Sequence, residues 1–600
     1  MWSVAVYTYL CRDALSLNSS FVIRHYLNSM YKKRTILGML MLLVVGLLCF
    51  NWNDSSPVTH IISLCTDLTL LGLLLWFLPK YVSTVVRIMI ETIVYSTALI
   101  DTYCLYNFGK GLSPTMLIIF INTTDSEIAD FLRSYGRQLL DDWHTILLIL
   151  LVIVHLVVSY KYVKRIHWPS VVPLRKWIMV AGGVLLMVGT MFSFPDKQRL
   201  IKLLSQDNIS DMEGLVFRNY DESAYISPLR LAYALRALRL SEKEIVVLRE
   251  ANAKARIDSC SYRSRHIVLV IGESYNRHHT QLYDYPLPTT PKQLSRVESG
   301  QMTVFTDVVS SWNITTNSFN QMFSLHHYGA LRPWSSYPLF PSLFRQAGYR
   351  VAFLTNQFAR HANRSRSNQT GGFFINDREL FKESFDVSNR RQRHNDMAFL
   401  KTQMELLNDS SDYTLDIIHL HGQHFDYASR YPSEETVFTT ANYQQRQLSD
   451  EQRQVIAHYD NATRWNDIVL DAILRSYENQ DAVVICLADH GEEVYDDLPV
   501  KGRIYSELTA RQVRQEFEIP FWIWCSPIYA ELHPDIIAQI QASAHRPWMT
   551  DRLPHLLLYL AGISQYDYDE RLSLIGPHAD GTVPRKLEGT VDYDALIKNE

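Results

Sequence analysis

The apolar residues of this chain are concentrated in its first third, in five runs: Thr35–Phe50, Ile61–Leu78, Val86–Tyr106, Thr145–Tyr160 and Trp177–Phe194. Each approaches the ~20 apolar residues that a helix needs to cross a hydrocarbon core, some on the short side. That pattern predicts a five-helix transmembrane domain over residues 1–194. The first strong run starts late and four more follow it, which is not the pattern of a cleaved signal peptide. Basic residues set the orientation. Lys32, Lys33 and Arg34 precede the first run, Lys80 and Arg87 lie around the junction of the second and third, and Lys161, Lys164, Arg165, Arg175 and Lys176 separate the fourth from the fifth. The segment Asn51–Thr59 on the opposite side has neither Lys nor Arg. The basic side is cytoplasmic by this rule, so everything after Phe194 is expected outside, in the periplasm if the cell is Gram-negative. Asp67, Glu91 and Asp101 interrupt the second and third runs. Ionisable groups at such depth face a bundle interior or a polar cavity.

The exported remainder divides in two. Residues 195–265 read as linker helices, with Leu229, Leu231, Leu235 and Leu238 interspersed with Arg230, Arg236 and Arg239 in an amphipathic pattern. From His266 to the end, short apolar runs alternate with helical stretches. Candidate strands are Ile267–Ile271, Arg350–Leu354, Leu415–Leu420, Ala482–Leu487 and Phe521–Trp524; candidate helices include Thr316–Leu325, Pro341–Gln346, Asp396–Leu407 and Asp450–Tyr477. This alternation predicts an α/β domain with a mostly parallel sheet covered on both faces. A net charge of −4 argues against a nucleic-acid partner held by bulk electrostatics. The seven cysteines show no metal-type spacing, and Cys486 and Cys525 sit in strand-like runs as expected buried thiols.

In such a sheet the reacting groups gather at the carboxyl ends of the strands. Glu273 ends the run HIVLVIG, Asp489-His490 ends VVICLA, and His419, His421 and His424 follow DII. Ser310–Asn317 leads into a helix. Two acids and a histidine on adjacent strand ends can hold a Zn²⁺ ion and leave one position for a reacting oxygen. Thr315, entering a helix N-terminus, is placed to fill it, and the helix dipole favours a phosphate nearby. Residue by residue, plainer readings compete: a loop at Asp489-His490, an N-cap at Thr315. Gly272-Glu273-Ser274-Tyr275-Asn276 approximates a nucleophile elbow but has Asn276 where the second glycine belongs, which argues against a serine hydrolase.

The motifs IGES followed by YPLPTTP, then SSWNITTNSFNQMFS, LHGQHFDY and LADHGEEVYD, together resemble the phosphoethanolamine transferases of bacterial inner membranes, in the alkaline phosphatase/sulfatase superfamily. The resemblance extends through EIPFWIW and MTDRLPHLLLYLAGI near the end. It implies a sulfatase-like α/β sandwich domain over residues 266–600. It also implies one tightly bound metal, zinc or alternatively manganese, held by Glu273, Asp489, His490 and Thr315. Thr315 would carry phosphoethanolamine as a covalent phosphothreonine, with Thr316 the alternative. His424, or His421 beside it, would meet the phosphate. Lys501 and Arg503 stand where the family's second histidine is expected, and a cation suits transferred phosphate there. Ser311 and Gln321 occupy positions that the family often joins by a disulfide. Thr123 and Glu127 resemble the family's donor-headgroup residues, with Ile119 replacing an expected Asn. The implied reaction transfers phosphoethanolamine from phosphatidylethanolamine to lipid A, the lipopolysaccharide core or another envelope glycan or glycolipid. Competing expectations are a phosphoglycerol transferase with the same centre, a membrane-anchored phosphodiesterase or sulfatase, and a non-catalytic lipid-binding relative.

Overall fold

In a computed structural model, the described residues are 32–49, 57–108, 111–114, 117, 143–162, 175–216, 223–357, 374–408, 411–503 and 508–598. The chain divides into two compact units, Met1–Leu240 and Ser241–Glu600.

In the first unit, helix α1 covers residues 32–48. It is followed by α2 (Pro57–Phe77), α3 (Lys80–Phe108), α4 (Trp143–Val157), α5 (Arg175–Leu204) and α6 (Ile209–Leu215), with α7 (Ser227–Lys254) running across the unit boundary. Among the described residues two helices are long and apolar enough to cross a membrane, Pro57–Phe77 and Lys80–Leu105; the apolar Trp143–Val157 is shorter. Length and composition therefore support two of the five expected spans. The acidic residues that interrupt the runs are each matched by a partner within this unit. Asp67 pairs with Lys197 at 2.5 Å, Glu91 lies 3.8 Å from Arg87 and 3.7 Å from His155, and Asp101 pairs with Arg230 and accepts from Ser227 Oγ at 2.8 Å. This is the interhelical pairing that a buried ion requires. Thr123 and Glu127 lie outside the described residues.

The second unit is built on a seven-stranded sheet. Its strands in chain order are β1 (His266–Gly272), β2 (Met302–Val304), β3 (Arg350–Thr355), β4 (Val387–Ser388), β5 (Thr414–His419), β6 (Ala482–Ala488) and β7 (Phe521–Cys525). Across the sheet the order is β2-β7-β6-β1-β5-β3-β4. β6, β1, β5, β3 and β4 are mutually parallel, and β7 runs antiparallel to both neighbours. Ile267, Val268, Leu269, Val270 and Ile271 are all fully buried. Strands covered on both faces lose the polar alternation of a half-exposed sheet, which is why these runs read as continuously apolar. Each such side chain contributes roughly 1.5–3 kcal/mol through burial. Cys486 and Cys525 are buried free thiols on β6 and β7.

Helices α8 (Pro291–Glu298), α9 (Thr315–Phe323) and α10 (Asp450–Tyr477) complete the parts that matter for the site. α10 begins at a capping box in which Ser449 and Gln452 exchange side-chain and backbone hydrogen bonds. The Thr-Thr-Pro segment now has a physical role. Thr289 Oγ1 donates to His279 O at 2.8 Å and accepts from Gln281 N at 3.0 Å, Thr290 Oγ1 accepts from Leu282 N at 3.0 Å, and Pro291 starts α8. The two hydroxyls staple the strap that follows β1.

That strap carries a buried cation. His279 donates from Nδ1 to Asp460 Oδ1 at 2.6 Å and from Nε2 to Asp496 Oδ2 at 2.8 Å, tying the strap to α10 and to the segment after β6. Burial alone would lower its pKa, but Asp496 and Asp460 outweigh it and raise it to about 10. A raised histidine contributes stability that is fully present below its unfolded value of 6.5 and is lost as pH rises through about 10. Thermal melting of the protein is therefore expected to fall across that window, and to fall less in His279→Gln. Parallel melting curves for the two proteins would refute this.

Candidate metal and phosphoryl-transfer centre

The register of the central strands decides which side chains meet. Gly272 pairs with Ala488, and Ile271 pairs with both Leu487 and His419. The next residues off adjacent strand ends are thus Glu273 and Asp489, with His490 following, and all three are fully buried. Two glycines permit the close approach. A Cβ on Gly422, which has φ +50°, would meet the backbone N and O of Glu273 at 3.0 Å; a Cβ on Gly491 would meet Gln515 O at 2.2 Å.

Glu273, Asp489 and His490 each offer a ligand atom within 4.8 Å of the others. His490 Nε2 lies 3.3 Å from Glu273 Oε1 and 3.2 Å from Asp489 Oδ2. Thr315 Oγ1, on the first residue of α9, lies 3.3 Å from both Glu273 oxygens and 3.3 Å from His490 Nε2. Four ligands placed tetrahedrally at ~2.0–2.1 Å from one ion are separated by about 3.3–3.4 Å. The lone pairs are also correctly disposed. His490 Nδ1 donates to Gly491 O at 2.8 Å, which leaves Nε2 unprotonated toward the cluster. Asp489 Oδ1 accepts from Ser274 N at 3.2 Å and His490 N at 2.8 Å, while its Oδ2 has no hydrogen-bond partner. An orphaned carboxylate oxygen facing an imidazole lone pair in a dry interior is unfavourable unless a cation lies between them. The donor set fits a metal ion.

Electrostatics split the two carboxyls. Burial, then the Glu273 charge beside it, pushes Asp489 well above the usual carboxylate range. Burial also opposes the Glu273 charge, but His490, His424 and Arg503 hold Glu273 well below that range. Burial, then Arg503, lowers His490. Arg503 Nη1 donates to His490 Nε2 at 2.7 Å, on the lone pair that a bound ion would take in its place, and to Asn313 O at 3.1 Å, so its cation faces both the cluster and the segment leading to Thr315.

The other expected residues separate. Thr316 Oγ1 turns to Asn317 Oδ1 at 3.3 Å. Ser274, at φ +54°, has its buried hydroxyl donating to Glu273 Oε1 at 3.2 Å, as a support for that carboxylate. His424 Nδ1 donates to Phe425 O at 2.8 Å, and the centre of its ring lies 5.4 Å from that of His421. Lys501 is exposed, with Nζ 5.1 Å from the Phe425 ring centre, and borders the same loop. His419 is fully buried, with Nδ1 3.0 Å from Thr355 Oγ1; burial lowers it to about 4. It is a support for the strand ends.

Sequence reasoning missed Gln357. Its Nε2 donates to Glu273 Oε2 at 2.7 Å and to Leu420 O at 3.2 Å, bridging the ends of β1 and β5. Its neighbour Asn356 donates to Asp396, which accepts the N–H groups of His421 and Gly422 at 2.9 and 2.8 Å. The Thr-Asn-Gln at the end of β3 thus braces three parts of the site, and no local pattern marks it. Partners of this kind typically change metal affinity by about 10–100-fold. Gln357→Leu is expected to weaken metal binding in that range, read by chelator competition, with the metal-free melting temperature unchanged. Unaltered affinity would refute the bracing role.

A family model described as Sulfatase matches residues 265–563. Phosphoethanolamine transferase EptC of Escherichia coli strain K12 is 26% identical over 547 residues, covering 87% of this chain and 89% of that protein. The Kdo(2)-lipid A phosphoethanolamine 7''-transferase of the same strain is 23% identical over 367 residues, 58% of this chain and 61% of that one. Among solved structures, the C-terminal periplasmic domain of Escherichia coli EptC in complex with Zn is 27% identical, with a TM-score of 0.48, over 57% of this chain and 96% of that one. A sulfatase-type domain that carries at its strand ends three residues able to hold a metal ion, in a chain aligned over most of its length with a phosphoethanolamine transferase, is specific in combination. The chain belongs to the phosphoethanolamine transferases of bacterial inner membranes, within the alkaline phosphatase/sulfatase superfamily, and is a metal-dependent phosphotransferase.

Proposed function

We propose that the chain transfers phosphoethanolamine from phosphatidylethanolamine to lipid A or the lipopolysaccharide core by a two-step exchange through Thr315. The observation that carries this reading is the position of Thr315 Oγ1, 3.3 Å from both Glu273 and His490 at the start of a helix. Glu273, Asp489, His490 and Thr315 would hold one zinc ion, with manganese the alternative. A bound divalent ion supplies Lewis acidity and lowers the pKa of an oxygen in its coordination shell. Thr315 Oγ gives up its proton and forms a bond to phosphorus as the bond to the diacylglycerol oxygen breaks; that oxygen takes up a proton and departs as diacylglycerol, leaving phosphoethanolamine on the threonine. The acceptor oxygen then displaces Thr315 from the same phosphorus. Division into two displacements replaces one difficult step with two easier ones. The free N–H groups of α9, together with Arg503, face the charge that grows on the phosphate oxygens. His424 and Lys501 would meet the phosphate, and Thr123 and Glu127 would meet the donor headgroup.

In this reading residues 1–194 form a five-span inner-membrane domain, residues 195–265 a linker, and residues 266–600 a periplasmic catalytic domain. A membrane-embedded unit suits a donor whose headgroup is presented at the bilayer surface. The test is mass spectrometry of envelope lipids and glycolipids from cells with and without expression. Addition of one phosphoethanolamine to lipid A or core, with diacylglycerol formed, is expected. Release of free headgroup phosphate with no modified acceptor would sink the transferase reading in favour of a hydrolase.

A further inference from the structure

Arg430 has no part in the centre described so far, yet it is a half-buried cation beside it. Its Nε donates to Asp426 O at 3.3 Å and its Nη1 donates to His421 Nδ1 at 2.5 Å. Among the described residues no carboxylate lies within ion-pair distance of it. Asp396, the acid that it feels most strongly, is occupied by the N–H groups of His421 and Gly422 and by Asn356. Sequestered cations are normally paired, because desolvation costs more than an unmatched charge returns. One left without an anion at a reaction centre is suited to an anion that comes and goes.

His421 strengthens this point. Its Nδ1 accepts a hydrogen bond from Arg430, so the ring is neutral and carries its proton on Nε2. That Nε2 has no hydrogen-bond partner among the described residues. Burial and the Arg430 charge hold the ring neutral by lowering it to about 3. The pair therefore offers two kinds of donor, the remaining guanidinium N–H groups and an imidazole N–H, close enough to Glu273 to sense its charge. A planar guanidinium with an adjacent N–H matches the oxygens of a phosphate ester.

We propose that Arg430 and His421 form a second phosphate-binding subsite beside the metal-ligand cluster, taking the oxygens of a phosphate ester rather than the reacting threonine. The ester is either the donor phosphodiester or a phosphate group carried by the acceptor. The inference rests on the two-step reading above. In a two-step exchange, kcat/KM for each substrate reports its own half-reaction, so the two sources can be told apart.

The experiment uses the full chain in detergent, with inorganic phosphate as a competitive probe and donor and acceptor varied separately. Arg430→Gln is expected to weaken inhibition by inorganic phosphate about 10–100-fold, the range for a lost charged hydrogen bond, with metal content and melting temperature unchanged. Arg430→Lys should fall between it and the wild type. A fall in kcat/KM confined to phosphatidylethanolamine assigns the subsite to the donor; one confined to the acceptor assigns it to an acceptor phosphate. Unchanged phosphate inhibition with both kcat/KM values intact would overturn the inference. So would loss of metal in Arg430→Gln that Arg430→Lys does not restore, since Arg430 would then be structural. If Thr315→Ala kept full transfer, the two-step reading would fall while the phosphate-inhibition result stood.

Discussion

Thr315→Ala is expected to lower transfer by about 10⁴-fold or more, the scale on which removing the nucleophile of a covalent enzyme acts. The variant should still bind metal, because Glu273, Asp489 and His490 remain as three protein ligands. Activity and metal content should therefore separate, whereas a variant of any of the three would lose both. Trapping adds a second measurement. Wild-type protein incubated with phosphatidylethanolamine and no acceptor should gain the mass of one phosphoethanolamine, on a peptide containing Thr315, and the alanine variant should gain none. Thr316→Ala should keep most activity, because its hydroxyl is engaged by Asn317 rather than by the cluster. Full transfer by Thr315→Ala, or a trapped adduct on Thr316, would overturn the assignment.

The framework of the site was legible because the sheet writes itself into local sequence. Strands buried on both faces are unbroken β-branched and apolar runs, and the residues that end them are the ones the register brings together at one edge. HIVLVIG and AVVICLA announce Glu273 and Asp489, and Asp450–Tyr477 reads as a helical stretch whose start the structure fixes with a capping box. Contacts that depend on side-chain reach across strands leave no such trace. Gln357 meets Glu273 from 84 residues away, over the end of an intervening strand. Arg430 meets His421 around a loop whose course no spacing rule predicts. Gly422 and Gly491 could be seen as turn residues, but not that Gly422 faces the backbone of Glu273 and Gly491 the backbone of Gln515. The first unit is the reverse case. Its apolar runs are plain in the sequence, while the pairing of Asp67 with Lys197 and of Asp101 with Arg230 joins residues more than a hundred positions apart.

Asp489→Asn should move stability and metal binding in opposite directions. In the metal-free protein the Asp489 carboxyl is fully buried beside Glu273, and burial with that neighbouring charge drives it well above the usual carboxylate range. An acid raised in the folded state favours folding only while it holds its proton. Metal-free stability from this group is greatest below its unfolded value near 3.8 and declines as pH rises above that toward the folded one. Asparagine keeps the shape and removes the charge, so at neutral pH the metal-free variant should melt a few degrees higher. One kcal/mol corresponds to roughly 1–2 °C at this chain length, from an unfolding entropy of about 2.1 cal/mol/K per residue. Metal affinity should meanwhile fall by about 100-fold or more, because an anionic ligand has become neutral and divalent ions bind deprotonated groups. Saturating zinc should thus raise the melting temperature of the wild type well above its metal-free value and leave the variant almost unmoved. Glu273, Asp489 and His490 are a local instability that the fold tolerates because a cation resolves it. Equal zinc-induced shifts in the two proteins would show that Asp489 is not a ligand, and a lower metal-free melting temperature in Asp489→Asn would show that the carboxylate is already satisfied without the ion.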